Sequence, residues 1–162
     1  LYPKVIELKQ TMSNKEFLLK IEMVYFINFI ISLFIFIFLF IFGERLVLFL
    51  YGKEFLRSLD VLLIYALSLI LVFFAANNNK LLMIDNLQRI MLGRNVLGLI
   101  VNIILNILLI PKYGIKGAAV ATVLTQIMIM FSYGLSHRTR YILWIQLKVM
   151  IYPVVLLTRR FL

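Results

Sequence analysis

Uncharged apolar runs alternate along this chain with short polar, basic links. Met23–Phe42 carries no charge and one polar pair, Asn28 and Ser32, four residues apart on one helix face. At 1.5 Å per residue it reaches about 30 Å, the thickness of a hydrocarbon core. Val61–Asn79 is also uncharged and long enough to cross, and it ends in Asn77, Asn78 and Asn79, which can satisfy backbone carbonyls as a helix leaves the bilayer. A third run extends from about Leu87 to Ile110 and a fourth from Gly117 to Leu135. Between them, Gly43–Asp60 reads as an extramembrane link whose apolar piece, Leu46–Tyr51, lies at the interface. Lys80–Arg94 reads as a second link running into the third helix. The pattern predicts an all-α membrane protein: a polytopic helical bundle of about four transmembrane helices plus interfacial segments.

The joint between the last two runs is the tightest. Val96–Ile110 and Gly117–Leu135 are separated by Pro111–Lys116. Pro111 disfavours helix at Ile110, and Gly114 frees the backbone to turn. Lys112 and Lys116 place the joint at a membrane face. Gly117, Ala118, Ala119 and Ala121 follow, small residues that let helix backbones approach closely in lipid. Gly117, Ala121 and Thr125 share one face and are read as helix-packing positions, whereas Gln126 points elsewhere, toward something polar. The expectation is an antiparallel transmembrane hairpin.

The third helix has the most informative polar pattern. Gln88, Asn95, Asn102 and Asn106 recur at spacings of seven, seven and four, with Gly98 between. At 100° per residue they fall within roughly 80° of one another. A polar stripe on a membrane helix faces either another helix, as hydrogen-bonding glue, or a wet cavity. Both readings stand.

The ends are less regular. In Leu1–Lys20, Val5, Leu8 and Met12 fall at helical spacing among charges, which suits an interfacial connector with Ser13 or Asn14 capping the next helix. Near the other end Lys148 and Pro153 interrupt the apolar pattern, and Tyr141, Trp144 and Lys148 suit an interfacial approach. Three parts result: a cytoplasmic or interfacial connector over 1–20, a four-helix transmembrane part over 21–136, and an interfacial or incomplete helix over 137–162.

Composition agrees with this pattern. The chain is 64% hydrophobic and 15% charged, with fourteen Phe, against about half and a quarter in soluble domains. Its net charge of +10 sits between apolar runs rather than along one face, so membrane lipids with anionic headgroups are the expected partner and not nucleic acid. There is no Cys. His137 lacks partners at metal-ligand spacing, neither a Gly-x-Ser-x-Gly nor a phosphate loop occurs, and the carboxylates sit largely in links. No catalytic residue, metal site or cofactor is expected, and the chain is read as a non-enzyme.

The stretch NIILNILLIPKYGIKGAAVATVL, together with YGKEF at Tyr51–Phe55 and LYPK at Leu1–Lys4, resembles the C-terminal part of bacterial polysaccharide (O-antigen type) flippases. These belong to the multidrug/oligosaccharidyl-lipid/polysaccharide exporter superfamily. The resemblance covers Leu1 to about Gly134. It implies a fragment of a larger two-lobed transporter, so the N-terminal half of the same chain, six or more helices, is expected upstream. It further implies a multi-pass protein of the bacterial cytoplasmic (inner) membrane that moves a polyprenyl-diphosphate-linked oligosaccharide for surface polysaccharide biosynthesis by alternating access. Candidate substrate-binding residues at a cavity or its mouth are Arg89, Arg94, Asn95, Asn102, Asn106 and Gln126. Arg89 and Arg94 are the natural candidates for the anionic diphosphate. The rival readings are a multidrug exporter of the same superfamily, a membrane-embedded polysaccharide polymerase or transferase, and a small non-transporting membrane partner.

Charge asymmetry sets an orientation. Lys4, Lys9, Lys15, Lys20, Lys80, Arg89, Arg94, Arg138 and Arg140 fall on one side, and Arg45, Lys53, Arg57, Lys112 and Lys116 on the other. Nine against five favours the first set as cytoplasmic. A reporter active only outside the cytoplasm is therefore expected to work near Lys53 or Tyr113 and to fail near Asp85 or His137. Activity at Asp85 with silence at Lys53 inverts the topology.

Overall fold

The computed structural model describes the backbone of residues 13–159 and the side chains of residue 13 and residues 15–151. The expected helix through Val5, Leu8 and Met12 lies outside the described residues. Five α-helices and two short 3-10 turns make up the rest: α1 (Asn14–Tyr51), α2 (Leu59–Ile84), α3 (Gln88–Tyr113), α4 (Ile115–Ser132) and α5 (Arg140–Arg159). Four of the described helical segments are long and apolar enough to cross a membrane, and α5 is not among them. Their outward faces carry Phe34, Phe40, Leu99 and Ile107, all more than half exposed. Exposed apolar side chains in this number need lipid or further protein to cover them. The chain is an all-α membrane protein.

α1 starts where the residues require it. Ser13 Oγ accepts from the Glu16 backbone N–H at 3.3 Å, and Glu16 Oε2 accepts from the Ser13 N–H at 3.1 Å, a reciprocal capping box. The helix then runs 38 residues, about 57 Å at 1.5 Å per residue, so both its ends project beyond a hydrocarbon core. Leu46–Tyr51 is the last turn and a half of α1, not a separate interfacial piece. Glu44 and Arg45 are good helix formers and give the helix no reason to stop. It stops at Gly52, and the 3-10 turn Lys53–Ser58 leads into α2.

The second expected link shrinks to three residues. α2 continues past Asn79 to Ile84, because Asn77 and Asn78 turn into the bundle instead of capping a helix end. Asn86 then takes a left-handed conformation, φ 57°, which asparagine tolerates. The Leu87 N–H bonds Leu82 O at 2.7 Å and the Asn86 N–H bonds Met83 O at 3.2 Å. This pair of bonds is a Schellman closure, and α3 begins at the next residue.

The hairpin joint is tighter than its sequence suggests. α3 runs through Pro111 to Tyr113, the proline giving up its N–H bond to Ile107 O in the last turns, and ends two residues later. A single residue, Gly114, separates α3 from α4, at φ 58° and ψ −137°, a region that side-chain-bearing residues avoid. Just beyond it the two backbones nearly touch: a Cβ on Gly117 would sit 2.4 Å from Leu109 O. Ala119 and Ala121 are fully buried.

The core lies where α1, α2 and α5 meet. Tyr25, Phe29, Phe74, Leu81, Leu82, Tyr133, Ile142, Ile145 and Val149 form one buried cluster. The Tyr25 and Phe74 rings are 5.6 Å apart, with Phe29 6.4 Å from Phe74 on the other side. α5 buries Ile142, Ile145, Gln146 and Val149 and turns Trp144 outward. Two ion pairs stitch the elements near the ends of the bundle, Lys116 with Asp60 and Lys148 with Glu22.

The backbone contact at Gly117 generates a test. Even a methyl group there meets a carbonyl oxygen rather than a flexible side chain, so Gly117→Ala is expected to lower stability by about 1–3 kcal/mol. Ala121→Leu is expected to act in the same direction. Folded yield in membranes and the thermal midpoint in detergent are the readouts. Unchanged values for both variants would mean that this face looks at lipid.

Candidate functional site

Of the polar stripe of α3, Asn95, Gly98 and Asn102 border a half-open groove of about 450 Å³ between α2, α3 and α4, while Gln88 turns back to Met83 O. α2 contributes Ala75 and Asn79, α3 contributes Asn95, Gly98, Leu99 and Asn102, and α4 contributes Thr122, Thr125, Gln126 and Ile129. Tyr133, just after α4, lines it as well. Four amides and three hydroxyls thus converge on one concave surface between helices that are otherwise Leu, Ile and Val. The lining carries no charged side chain among the described residues.

Hydrogen bonds fix this surface from within. Asn106 Nδ2 donates to Asn102 Oδ1 and to the Asn102 carbonyl, both at 2.9 Å. Asn102 Nδ2 in turn donates to Thr125 Oγ1 at 3.3 Å across the helix pair. Thr125 passes its own proton to Ala121 O at 2.8 Å, and Thr122 does the same to Ala118 O at 3.1 Å. The chain Asn106–Asn102–Thr125 is glue, yet Asn102 and Thr125 also border the groove. Asn95, Thr122 and Gln126 border it without a side-chain bond between helices. Asn106 braces Asn102 from outside the lining.

The two arginine candidates separate. Arg89 is exposed on the first turn of α3. Arg94 is buried, with 8% of its surface exposed. Its Nη2 donates to Thr139 Oγ1 at 2.8 Å and to Ser132 O at 3.1 Å, and its guanidinium lies 4.1 Å above the Tyr133 ring. Thr139 Oγ1 donates to Tyr133 O at 2.9 Å. Arg94 therefore staples α3 to the α4–α5 connection with its fork and its flat face together. Nη1 has no hydrogen-bond partner among the described residues.

A second polar cluster was not apparent from the pattern of the chain. Asn78 Oδ1 accepts from Tyr25 Oη and from Gln146 Nε2, both at 2.6 Å, which ties α2 to α1 and α5. Beside it, Asn77 Nδ2 and Gln146 Oε1 lack partners among the described residues. Three consecutive asparagines on a helix point 100° apart, so at least one of Asn77, Asn78 and Asn79 had to face the bundle. That was the available signal. At the nearby helix turn Tyr141 donates to Asp85 Oδ2 at 2.5 Å, and burial together with this carboxylate raises the Tyr141 phenol above its ordinary value.

Set against family models, curated proteins and solved structures, the chain finds no match.

The division between the arginines is testable. Arg94→Lys keeps the charge but loses the fork and the ring contact, and is expected to cost about 1.5–3 kcal/mol in detergent stability. Arg89→Ala is expected to stay within about 0.5 kcal/mol of the unaltered chain. Equal thermal midpoints for the two variants would remove the stapling role from Arg94.

Proposed function

We propose that this chain forms part of a transporter that moves a polyprenyl-diphosphate-linked oligosaccharide across the bacterial cytoplasmic membrane by alternating access. The observation that carries the reading is the groove between α2, α3 and α4, lined by amides and hydroxyls inside an apolar bundle. Irregular or polar surface at membrane depth is tolerated where it lines a cavity or is covered by protein. Amides both donate and accept, and hydroxyls do likewise, so the lining is complementary to sugar hydroxyls and makes no demand for a cationic or anionic cargo. The resemblance of the α3–α4 hairpin to polysaccharide flippases supports the same cargo class. Such a machine needs no catalytic group: it needs a polar face in each lobe and a change of relative tilt. In this reading the lobe implied upstream supplies the opposing wall, and Arg89, exposed at the start of α3, remains free for a diphosphate. Arg94 is committed to Tyr133 and Thr139 and acts as a brace.

A multidrug exporter differs from this reading in cargo, and a polymerase or transferase in chemistry. The experiment distinguishes them by following the cargo itself. The chain is expressed with its upstream lobe, and translocation of a lipid-linked oligosaccharide into inverted membrane vesicles is scored. Single Cys residues at Asn95, Asn102 and Gln126 are expected to react with a small water-soluble thiol reagent, and the reaction is expected to stop translocation. Cys at Ile100 or Ile104, on the opposite face of α3, is expected to remain unlabelled. Protection at all three polar sites in an active protein would leave the stripe a structural role. Absence of translocation with intact labelling would redirect the cargo assignment.

A further inference from the structure

A second groove, sharing no lining residue with the first, lies between the N-terminal part of α1 and α5. Its rim is the ion pair of Glu22 and Lys148, Oε2 to Nζ 2.5 Å. Its walls are Leu19, Met23 and Phe26 of α1 with Val149 of α5, and together with the rim they enclose about 280 Å³. The α1 residues are spaced four and three apart and so form one stripe along the helix.

The sequence sets the depth of this groove. Glu22 is the last charge before the uncharged run Met23–Phe42, so the rim lies where headgroups meet hydrocarbon. From there the stripe passes Met23 to Phe26, into the depth of the acyl chains. Trp144 projects outward one turn before Lys148, 66% exposed, as an interfacial aromatic does. Leu19 and Met23 are each more than 60% exposed, so the slot is open from the side.

The rim selects the occupant. Lys148 and Glu22 engage one another through one ammonium hydrogen and one carboxylate oxygen. An ammonium has three donors and a carboxylate about four acceptor positions, so the pair can bind a second, antiparallel pair without breaking. A headgroup that satisfies both carries a phosphate for Lys148 and an N–H-bearing cation for Glu22. A glycerol headgroup has the phosphate alone and leaves Glu22 facing a net anion. A choline headgroup has a cation without N–H. We propose that this groove binds a phospholipid with an ethanolamine headgroup: phosphate on Lys148, primary ammonium on Glu22, and one acyl chain along Met23 and Phe26, with Leu19 beside the headgroup. The site stands apart from the transport reading and does not depend on it.

Native mass spectrometry of the intact chain tests this, with phosphatidylethanolamine, phosphatidylglycerol and phosphatidylcholine of matched acyl chains supplied in equal amounts. Phosphatidylethanolamine is expected to be retained about fivefold over each of the others, the factor contributed over phosphatidylglycerol by one well-placed headgroup charge and over phosphatidylcholine by one net hydrogen bond. Glu22→Gln is expected to abolish the preference over phosphatidylglycerol. Met23→Trp fills the slot and leaves the ion pair intact. It is expected to reduce phosphatidylethanolamine retention by a similar factor while the thermal midpoint in lipid-free detergent holds, and it carries the test should Glu22→Gln not fold. Equal retention of the three lipids by the unaltered chain would overturn the proposal, as would preferred retention of phosphatidylglycerol. A phosphatidylethanolamine preference that survives Met23→Trp would overturn it too, since the slot would then hold no acyl chain.

Discussion

A polar atom inside a bilayer has to find its partner within the protein, and the side-chain carbonyl oxygen of Asn78 organises the bundle under that constraint. It takes one proton from Tyr25 and another from Gln146, so three helices meet at one atom. The hydrophobic effect does not drive this association, because lipid tails are as apolar as Leu; close packing and interhelical hydrogen bonds do. The ring stack of Tyr25, Phe74 and Phe29 and the burial of Ile142 depend on the register that Asn78 imposes. Arg94 serves the other side of the bundle in the same manner, holding α3 to the turn before α5 through Ser132 and Thr139.

On α3 the same side chain both bonds a neighbouring helix and borders open space. Asn102 spends its amide protons on Thr125 while bordering open space, and Asn106 stiffens it from behind. A polar groove in a membrane helix pair needs such bracing, because an unsupported amide would turn toward whatever partner came first. Asn95 and Gln126 border the same groove.

What could be read from the residues was what depends on composition and period: the apolar runs, the Asn stripe on α3, the small-residue face at Gly117 and Ala121, and the Ser13 cap. What could not be read depends on partners distant in the chain. Charges at Glu44, Arg45 and Lys80 suggested links, but charge alone does not end a helix, and α1 and α2 run on through them. Asn77–Asn79 suggested a helix end for the same reason, since nothing local reveals Tyr25 and Gln146 waiting across the bundle. Arg94 resembled a free base at a mouth until its fork was found closed on Thr139. α5 carried a weak apolar signal because, among the described residues, Ile142, Ile145, Gln146 and Val149 turn into the bundle while Trp144 faces outward.

Gly114 alone joins α3 to α4, and this bears on how the pair sits in the membrane. A joint of one residue has no slack to leave α4 lying in the headgroups while α3 already spans. The two helices therefore sit in the bilayer as a single hairpin, with Lys112 and Lys116 at its tip. A lysine at the hydrocarbon centre costs about 2.5–3.5 kcal/mol, so Lys112 and Lys116 hold the tip at a membrane face while the Ile, Leu and Val of both helices occupy the apolar depth. With their backbones in contact at Gly117, α3 and α4 form one unit, and α2 packs against its α4 side.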